Sequence, residues 1–486
     1  MRSIFRLLLL TLLFSAASLY EAKHLSALTS SDVWWHLRTG LWILQHHAVP
    51  HMGLFSQYSD APWIASSWGY EVFLAAAYKL VGLRAIPVLL MGLKVALAVV
   101  TFLLARAGRA KVWSAVFLSA ISQYVISNLQ PAPAGLSILF FGIELAVLVQ
   151  SRRSGELRTL FWLPPIFLIW ANLHVQFVIG LLLFGGFLIA LLLEHALRRA
   201  RVTFLSDRLL PLPLTKVGAI AGLSVLSTFA TPYTIHLFPN FVKALYSSVA
   251  FQYGVEMRAM GFRRPQEFAL MLLVMAAFFA LGRRRSLELF EPLALVAGTV
   301  LAFRIQRDAW IAVLPAIAVL SDGFHLEQAG NDAWNRISCP QKTLAASLTT
   351  TILIAASLHL PDQTNLMNKI SEYFPVKACD FITKNHLPPP LFNTYSWGGF
   401  LTWYVPEYPV VVDSRVDLYG DEVLASYFQV IAGKRRLDTN PSRASARTLL
   451  LERQSGMADA LVRLPALSSQ YRKLYSDDLA VVFVRQ

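Results

Sequence analysis

The feature that most constrains this chain recurs along it. Apolar stretches of roughly 20 residues, the length that spans a bilayer, alternate with short polar turns from Ile4 to Leu360. Hydrocarbon offers no water to unpaired N–H and C=O groups, so such stretches can cross it only as helices. Composition agrees. Of 486 residues, 56% are hydrophobic and 15% are charged, against about a quarter charged in ordinary soluble chains. The pattern predicts a polytopic α-helical membrane protein.

The formal net charge of +14 does not indicate nucleic acid. Arg and Lys sit in clusters between apolar runs: Arg106, Arg109 and Lys111; Arg152, Arg153 and Arg158; Arg198, Arg199 and Arg201; Arg283, Arg284 and Arg285. Cytoplasmic loops carry this bias, so the charge reports orientation and no nucleic-acid partner is expected. With Arg2 and Arg6 inside, about 11 spans follow: 4–20, 84–105, 112–127, 131–150, 159–173, 175–196, 216–231, 267–282, 287–303, 309–320 and 343–360. The stretch 68–81 is apolar but short and holds Glu71 and Lys79, which suits a helix lying in the interface. Counting it as a twelfth span would turn the later basic clusters outward. The expected protein is multi-pass in the plasma (inner) membrane, with its N-terminus cytoplasmic. Residues 1–360 form a transmembrane domain with a first outer loop at 21–83, and 361–486 form an extracytoplasmic domain. The first 22 residues read either as an uncleaved anchor or as a signal peptide with small residues at Ser15-Ala16-Ala17. Cys339 and Cys379 fall on opposite sides, so no disulfide joins them, and their spacing suits no metal.

The tail is more polar. A helix is expected near 374–382 and a buried strand at 409–412. An Asp421 N-cap should open a helix running to Ile431, and strands should follow at 448–451 and 479–484. Alternation of this kind predicts a small α/β domain.

Chemistry concentrates in Asp32-Val33-Trp34-Trp35-His36-Leu37-Arg38, directly after the first span. Asp32 is either a helix N-cap or a carboxylate that acts as general base or holds a divalent metal such as Mg or Mn. Trp35 either suits the interface or contacts substrate. His36 and Arg38 either snorkel or bind substrate, a guanidinium being suited to phosphate. Arg304 and Arg307 run against the charge bias of an outer turn. They either pair with Asp308 or grip an anionic headgroup. Asn172 and His174 either shape an outer hairpin or line a polar cavity. Lys94, deep in a span, needs a partner, and Glu144 is the candidate. In the tail, Trp397, in Tyr395-Ser396-Trp397-Gly398-Gly399-Phe400, is a candidate substrate contact. Asp413, Arg415 and Asp417 end the expected strand, where α/β domains present ligand groups; the alternative is a salt-bridged turn.

These segments resemble the GT-C superfamily of membrane glycosyltransferases. The Asp32–Arg38 stretch is similar to the acidic first-loop signature of oligosaccharyltransferase catalytic subunits. The Ser396–Phe400 stretch is loosely similar to their acceptor-recognition Trp-Trp-Asp-Tyr-Gly motif, without its first Trp and its Asp. The chain also resembles, end to end, a large group of bacterial multi-pass membrane proteins that share its opening and its closing Asp-Ser-Arg-Val-Asp-Leu-Tyr-Gly segment. The resemblance implies sugar transfer from a polyprenyl-phosphate-linked donor at the outer membrane face, with Asp32 as base or metal ligand. It implies membrane lipids and the lipid-linked sugar as partners. A lipid or solute transporter and a non-enzymatic envelope scaffold are the alternatives.

Overall fold

A computed structural model describes residues 2–486 apart from 109, 202–211, 285–287, 324–337, 433–445 and 465–468. Arg109 and Arg285, and most of 197–215 and 321–342, therefore lie outside the described residues. The chain divides into two compact units. Unit 1 comprises Met1–His24, Val88–Ile235 and Glu256–His359, and unit 2 comprises Leu25–Pro87, His236–Val255 and Leu360–Gln486. The 25–87 segment, which the sequence reading keeps with the transmembrane domain, packs with the C-terminal segment.

Unit 1 is helical among its described residues. A helix falls on each expected span: Arg2–His24, Ala85–Ala107, Val112–Val125, Pro133–Ser154, Leu163–Leu173, Phe177–Arg199, Leu214–Ser227, Pro265–Gly282, Phe290–Arg304, Trp310–Gly323 and Cys339–Leu358. Among the described residues, five stretches are long and apolar enough to cross a membrane: Ile4–His24, the Trp68–Ala107 run, Pro133–Ser154, Phe177–Arg199 and Pro265–Gly282. Counting Cys339–Leu358 with Gln363–Ile370 as one broken span makes six. The protein is a helical membrane protein by these features, and the count of eleven goes beyond them. Pro164 and Pro165 lie in the first turn of the Leu163–Leu173 helix, where a missing N–H costs nothing.

The interior of unit 1 corrects one expected pair. Lys94 Nζ meets Glu21 Oε2 at 2.8 Å, not Glu144. The first helix runs on to His24, so Glu21 lies on a helix rather than in a loop. The basic clusters are also less free than they read. Arg152 pairs with Glu194 and with Glu288 at 3.2 Å. Arg153 pairs with Glu291 at 3.3 Å, and Arg284 pairs with Glu291 and with Asp322 at 3.5 Å. Helix packing brings these acids in from distant parts of the sequence.

Unit 2 holds a mixed four-stranded sheet in the order β1-β2-β4-β3: β1 Leu391–Asn393, β2 Thr448–Glu452, β3 Tyr471–Ser476 and β4 Ala480–Arg485. β1 runs parallel to β2; the other neighbours are antiparallel. The expected strands at 448–451 and 479–484 are β2 and β4. The expected helix at 374–382 is Val376–Lys384. Val410–Val412 is buried, with Pro409 exposed, and the stretch lies outside the sheet. Asn393 takes its place in the ladder, accepting from Val411 N at 2.9 Å and donating to Val412 O at 2.8 Å. The Val416–Ile431 helix is two helical stretches joined at a kink at Gly420, whose φ of 70° suits glycine, and the second runs on to Ile431 as expected. Asp421 instead accepts hydrogen bonds from Ser247 Oγ and from Ser248 N (2.7 Å) and Oγ (2.8 Å).

Candidate functional site

In unit 2, Asp32 is the first residue of the Asp32–His46 helix. Ser31, the N-cap, has helical backbone angles and makes no side-chain cap. The Asp32 carboxylate is half-exposed and takes a hydrogen bond from Ser31 Oγ at 3.1 Å. The capping alternative is therefore not the one observed. An anion at this end of a helix is favoured by the aligned peptide dipoles.

Two glycines let neighbouring backbone close in on this helix, and a third seats the adjoining segment on Val412–Asp413. A side chain at Gly40 would strike the Glu71 carbonyl on the Trp68–Val81 helix, and one at Gly399 would strike the Ser31 carbonyl. One at Gly398 would come within 2.7 Å of Asp413 Cα. The Trp397-Gly398-Gly399 motif thus packs between the start of the Asp32 helix and the Val412–Asp413 backbone, with Trp397 buried. Two side-chain links complete the joint. Trp35 Nε1 donates to Ser414 Oγ at 3.0 Å. The His36 ring lies 3.0 Å from Glu71 Oε1, both side chains buried, so His36 does not snorkel.

Asp413 and Arg415 form a closed pair. Arg415 donates through N and Nε to Asp413 Oδ1, both at 2.9 Å, and through Nη2 to Oδ2 at 2.6 Å. Tyr419 OH donates to Oδ2 at 2.9 Å, and the Trp63 ring centroid lies 4.9 Å from the Arg415 guanidinium carbon. Relative exposures are 0% for Asp413 and 1% for Arg415, so this is the salt-bridged turn, inside the core. Burial opposes the Arg415 charge, but the adjoining Asp413 carboxylate outweighs it and holds the guanidinium above its ordinary value. Asp417 is exposed and takes a hydrogen bond from Asn240. Arg38 is half-buried, with its guanidinium carbon 4.8 Å from the Phe55 ring centroid. Burial lowers its pKa from the ordinary arginine value.

The other candidates lie in unit 1. His174 Nδ1 is 2.7 Å from Ser137 Oγ, which also accepts from Trp170 Nε1 at 2.8 Å. Burial, then the nearby Arg307 charge, push the imidazole down to about 3. Asn172 donates to the carbonyls of Leu168 at 2.8 Å and Ala230 at 3.0 Å, as a hairpin-shaping residue would. Arg304 and Arg307 are exposed. Arg307 Nε stands 3.8 Å from Asp308 Oδ1, which also takes the Gln176 amide at 3.1 Å. The structure thus gathers Asp32, Trp35, His36, Arg38, Trp397, Asp413, Arg415 and Asp417 in one unit, and Asn172, His174, Arg304 and Arg307 in the other.

No protein-family model matches the sequence, and no curated protein does. Solved structures do. The oligosaccharyltransferase of Archaeoglobus fulgidus, tethered to an acceptor peptide containing the NVT sequon, superposes with a TM-score of 0.53 at 12% identity, covering 100% of this chain and 74% of that one. Archaeal oligosaccharyltransferase AglB from the same organism, in complex with an inhibitory peptide and a dolichol-phosphate, gives 0.52 at 12% identity with the same coverage. A complex of the Archaeoglobus fulgidus oligosaccharyltransferase with Zn and sulfate gives 0.50 at 11% identity, covering 98% of this chain and 73% of that one. The chain has a GT-C-like fold. At this identity the likeness speaks for the fold.

Within that GT-C-like fold, the sequence reading overlooked Glu71, Ser414, Tyr419, Trp63 and Phe55 as parts of the site. The available signal was an acid in the apolar 68–81 stretch and the polar residues flanking Arg415. The donor set beside Asp32 does not fit a divalent cation. Ser31 is its partner, and among the described residues no three His, Cys, Asp or Glu side chains converge on one point.

Proposed function

We propose that the protein is a GT-C-type glycosyltransferase that moves a sugar from a polyprenyl-phosphate-linked donor to an acceptor at the outer membrane face. The reading rests on one observation: Asp32 is a half-exposed, uncapped carboxylate at a helix start that the Trp397-Gly398-Gly399 segment packs against. In the proposed step, Asp32 takes the proton of the acceptor nucleophile. The nucleophile forms a bond to the anomeric carbon as the carbon–oxygen bond to the donor phosphate breaks. The electron pair leaves with the polyprenyl phosphate, whose charge Arg38 stabilises. Arg304 and Arg307, exposed in unit 1, are assigned to anionic headgroups by their charge. His36 and Trp35 position the Asp32 helix through Glu71 and Ser414. Asp413 and Arg415 are assigned to the frame rather than to substrate. The inner membrane, the cytoplasmic N-terminus and eleven spans complete the proposal, which runs through the protein's own groups without a metal.

The test is a membrane lipid profile by mass spectrometry, comparing native cells with cells carrying Asp32→Asn. A polyprenyl-phosphate sugar should accumulate in the variant at unchanged protein level. An unchanged profile would sink the reading.

A further inference from the structure

The helix that begins at Asp32 also carries Arg38, and the ring beneath that arginine belongs to a strained residue. Phe55 has a φ of 63°, in the left-handed region that bulky side chains avoid. Asparagine or glycine would sit there more easily. C-terminal backbone holds it in place. Val410 N donates to Phe55 O at 3.1 Å, and Gln57 N donates to Val410 O at 2.9 Å. Gln57 Nε2 donates to Leu391 O at 2.9 Å and Pro409 O at 3.3 Å. This strained backbone delivers the phenyl ring to the Arg38 guanidinium.

Arg38 differs from the buried arginines of the molecule. Arg152, Arg153, Arg284 and Arg415 each face a carboxylate. Among the described residues no carboxylate pairs with Arg38, and its Nε, like Arg284 Nε and Arg415 Nη1, is buried without a hydrogen-bond partner. A guanidinium stacked on a ring keeps its planar fork of donors oriented, and that fork matches two oxygens of one oxyanion.

We propose that Phe55 is a positioning residue that presents Arg38 to a phosphate-type oxyanion, its left-handed backbone held by the Pro409–Val410 stretch. The inference rests on the assignment of Arg38 to phosphate. A lipid phosphate and free phosphate share the required chemistry.

The experiment measures binding of farnesyl phosphate and of inorganic phosphate to the purified full-length protein, with Tm recorded for every variant. Arg38→Gln should weaken farnesyl phosphate binding about tenfold or more. Phe55→Asn suits the backbone but lacks the ring. It should keep or raise Tm and weaken binding about five- to tenfold. Phe55→Tyr keeps the ring and should bind as the native protein does. Inorganic phosphate showing the same dependence on both residues supports a free-oxyanion site, and dependence confined to farnesyl phosphate supports a lipid headgroup. If Arg38→Gln weakens binding while a folded Phe55→Asn does not, only the positioning role is overturned. If Arg38→Gln binds normally, the phosphate assignment under Proposed function falls with it.

Discussion

Unit 2 contains two acid–arginine motifs that look alike in sequence and differ in every physical respect. Asp413 and Arg415 share bidentate hydrogen bonds at zero or near-zero exposure, with Tyr419 bonded to the carboxylate and the Trp63 ring over the guanidinium. Asp32 and Arg38 are half-exposed, one at a helix start and the other stacked on a ring. A buried charge persists when a counter-charge and hydrogen bonds meet it inside the protein; Arg415 has both in Asp413, with only its Nη1 left unpaired, so the first motif is spent on the fold. An accessible charge without an internal counter-charge has interaction energy left for a ligand. Environment, not residue type, separates frame from site.

The sharpest way to break that contrast is to remove one partner of the closed pair. Arg415→Met should leave Asp413 buried and uncompensated, at a cost of about 3–5 kcal/mol, seen as a large fall in Tm or loss of folded protein. The double change Asp413→Leu with Arg415→Met should recover much of that loss, because no orphaned charge remains. Asp32→Asn should do the reverse, leaving Tm nearly unchanged while transfer falls about a hundredfold or more. Equal thermal stability of Arg415→Met and Asp32→Asn would erase the distinction.

A smaller effect tests the joint between the motifs. Gly399→Val places a side chain against the Ser31 carbonyl, and overpacking of this kind costs about 1–3 kcal/mol. Ser414→Ala removes the acceptor of the Trp35 indole and should cost about 1 kcal/mol. Thermal unfolding of each variant measures both. If Gly399→Val proved neutral, the motif would not seat on the Asp32 helix as described.

The helices of unit 1 were legible because one apolar run per span is a local signal, needing no knowledge of neighbours. β2 and β4 were legible for the same reason, as runs of Leu and Val. β1, with three residues, and β3, an edge strand of mixed exposure, carry no comparable pattern. Pro409–Val412 has strand composition but finds its backbone partners in an asparagine side chain and a distant loop. The candidate residues were found by type. Their division into frame and site was not, because it depends on which groups meet across hundreds of residues. Lys94 illustrates the point: its need for an acid was readable, and the choice of Glu21 over Glu144 was set by packing.

The smallest effect concerns the far end of the tail motif. Asp421 accepts from Ser247 and Ser248. Burial alone would raise its carboxyl, but these hydrogen bonds outweigh it and hold the carboxyl below its ordinary value. A carboxyl depressed in the folded state adds stability that is complete above the unfolded value, about 3.9. That stability is lost as pH falls through the folded value. The Tm gap between native protein and Asp421→Asn should therefore be constant from neutral pH down to about 4 and close below it. A gap that stayed open in acid would mean that the serines hold the asparagine equally well. The segment 236–255 would then be held to the Val416–Ile431 helix by packing, such as the Tyr253–Phe428 stack at 4.3 Å, rather than by charge.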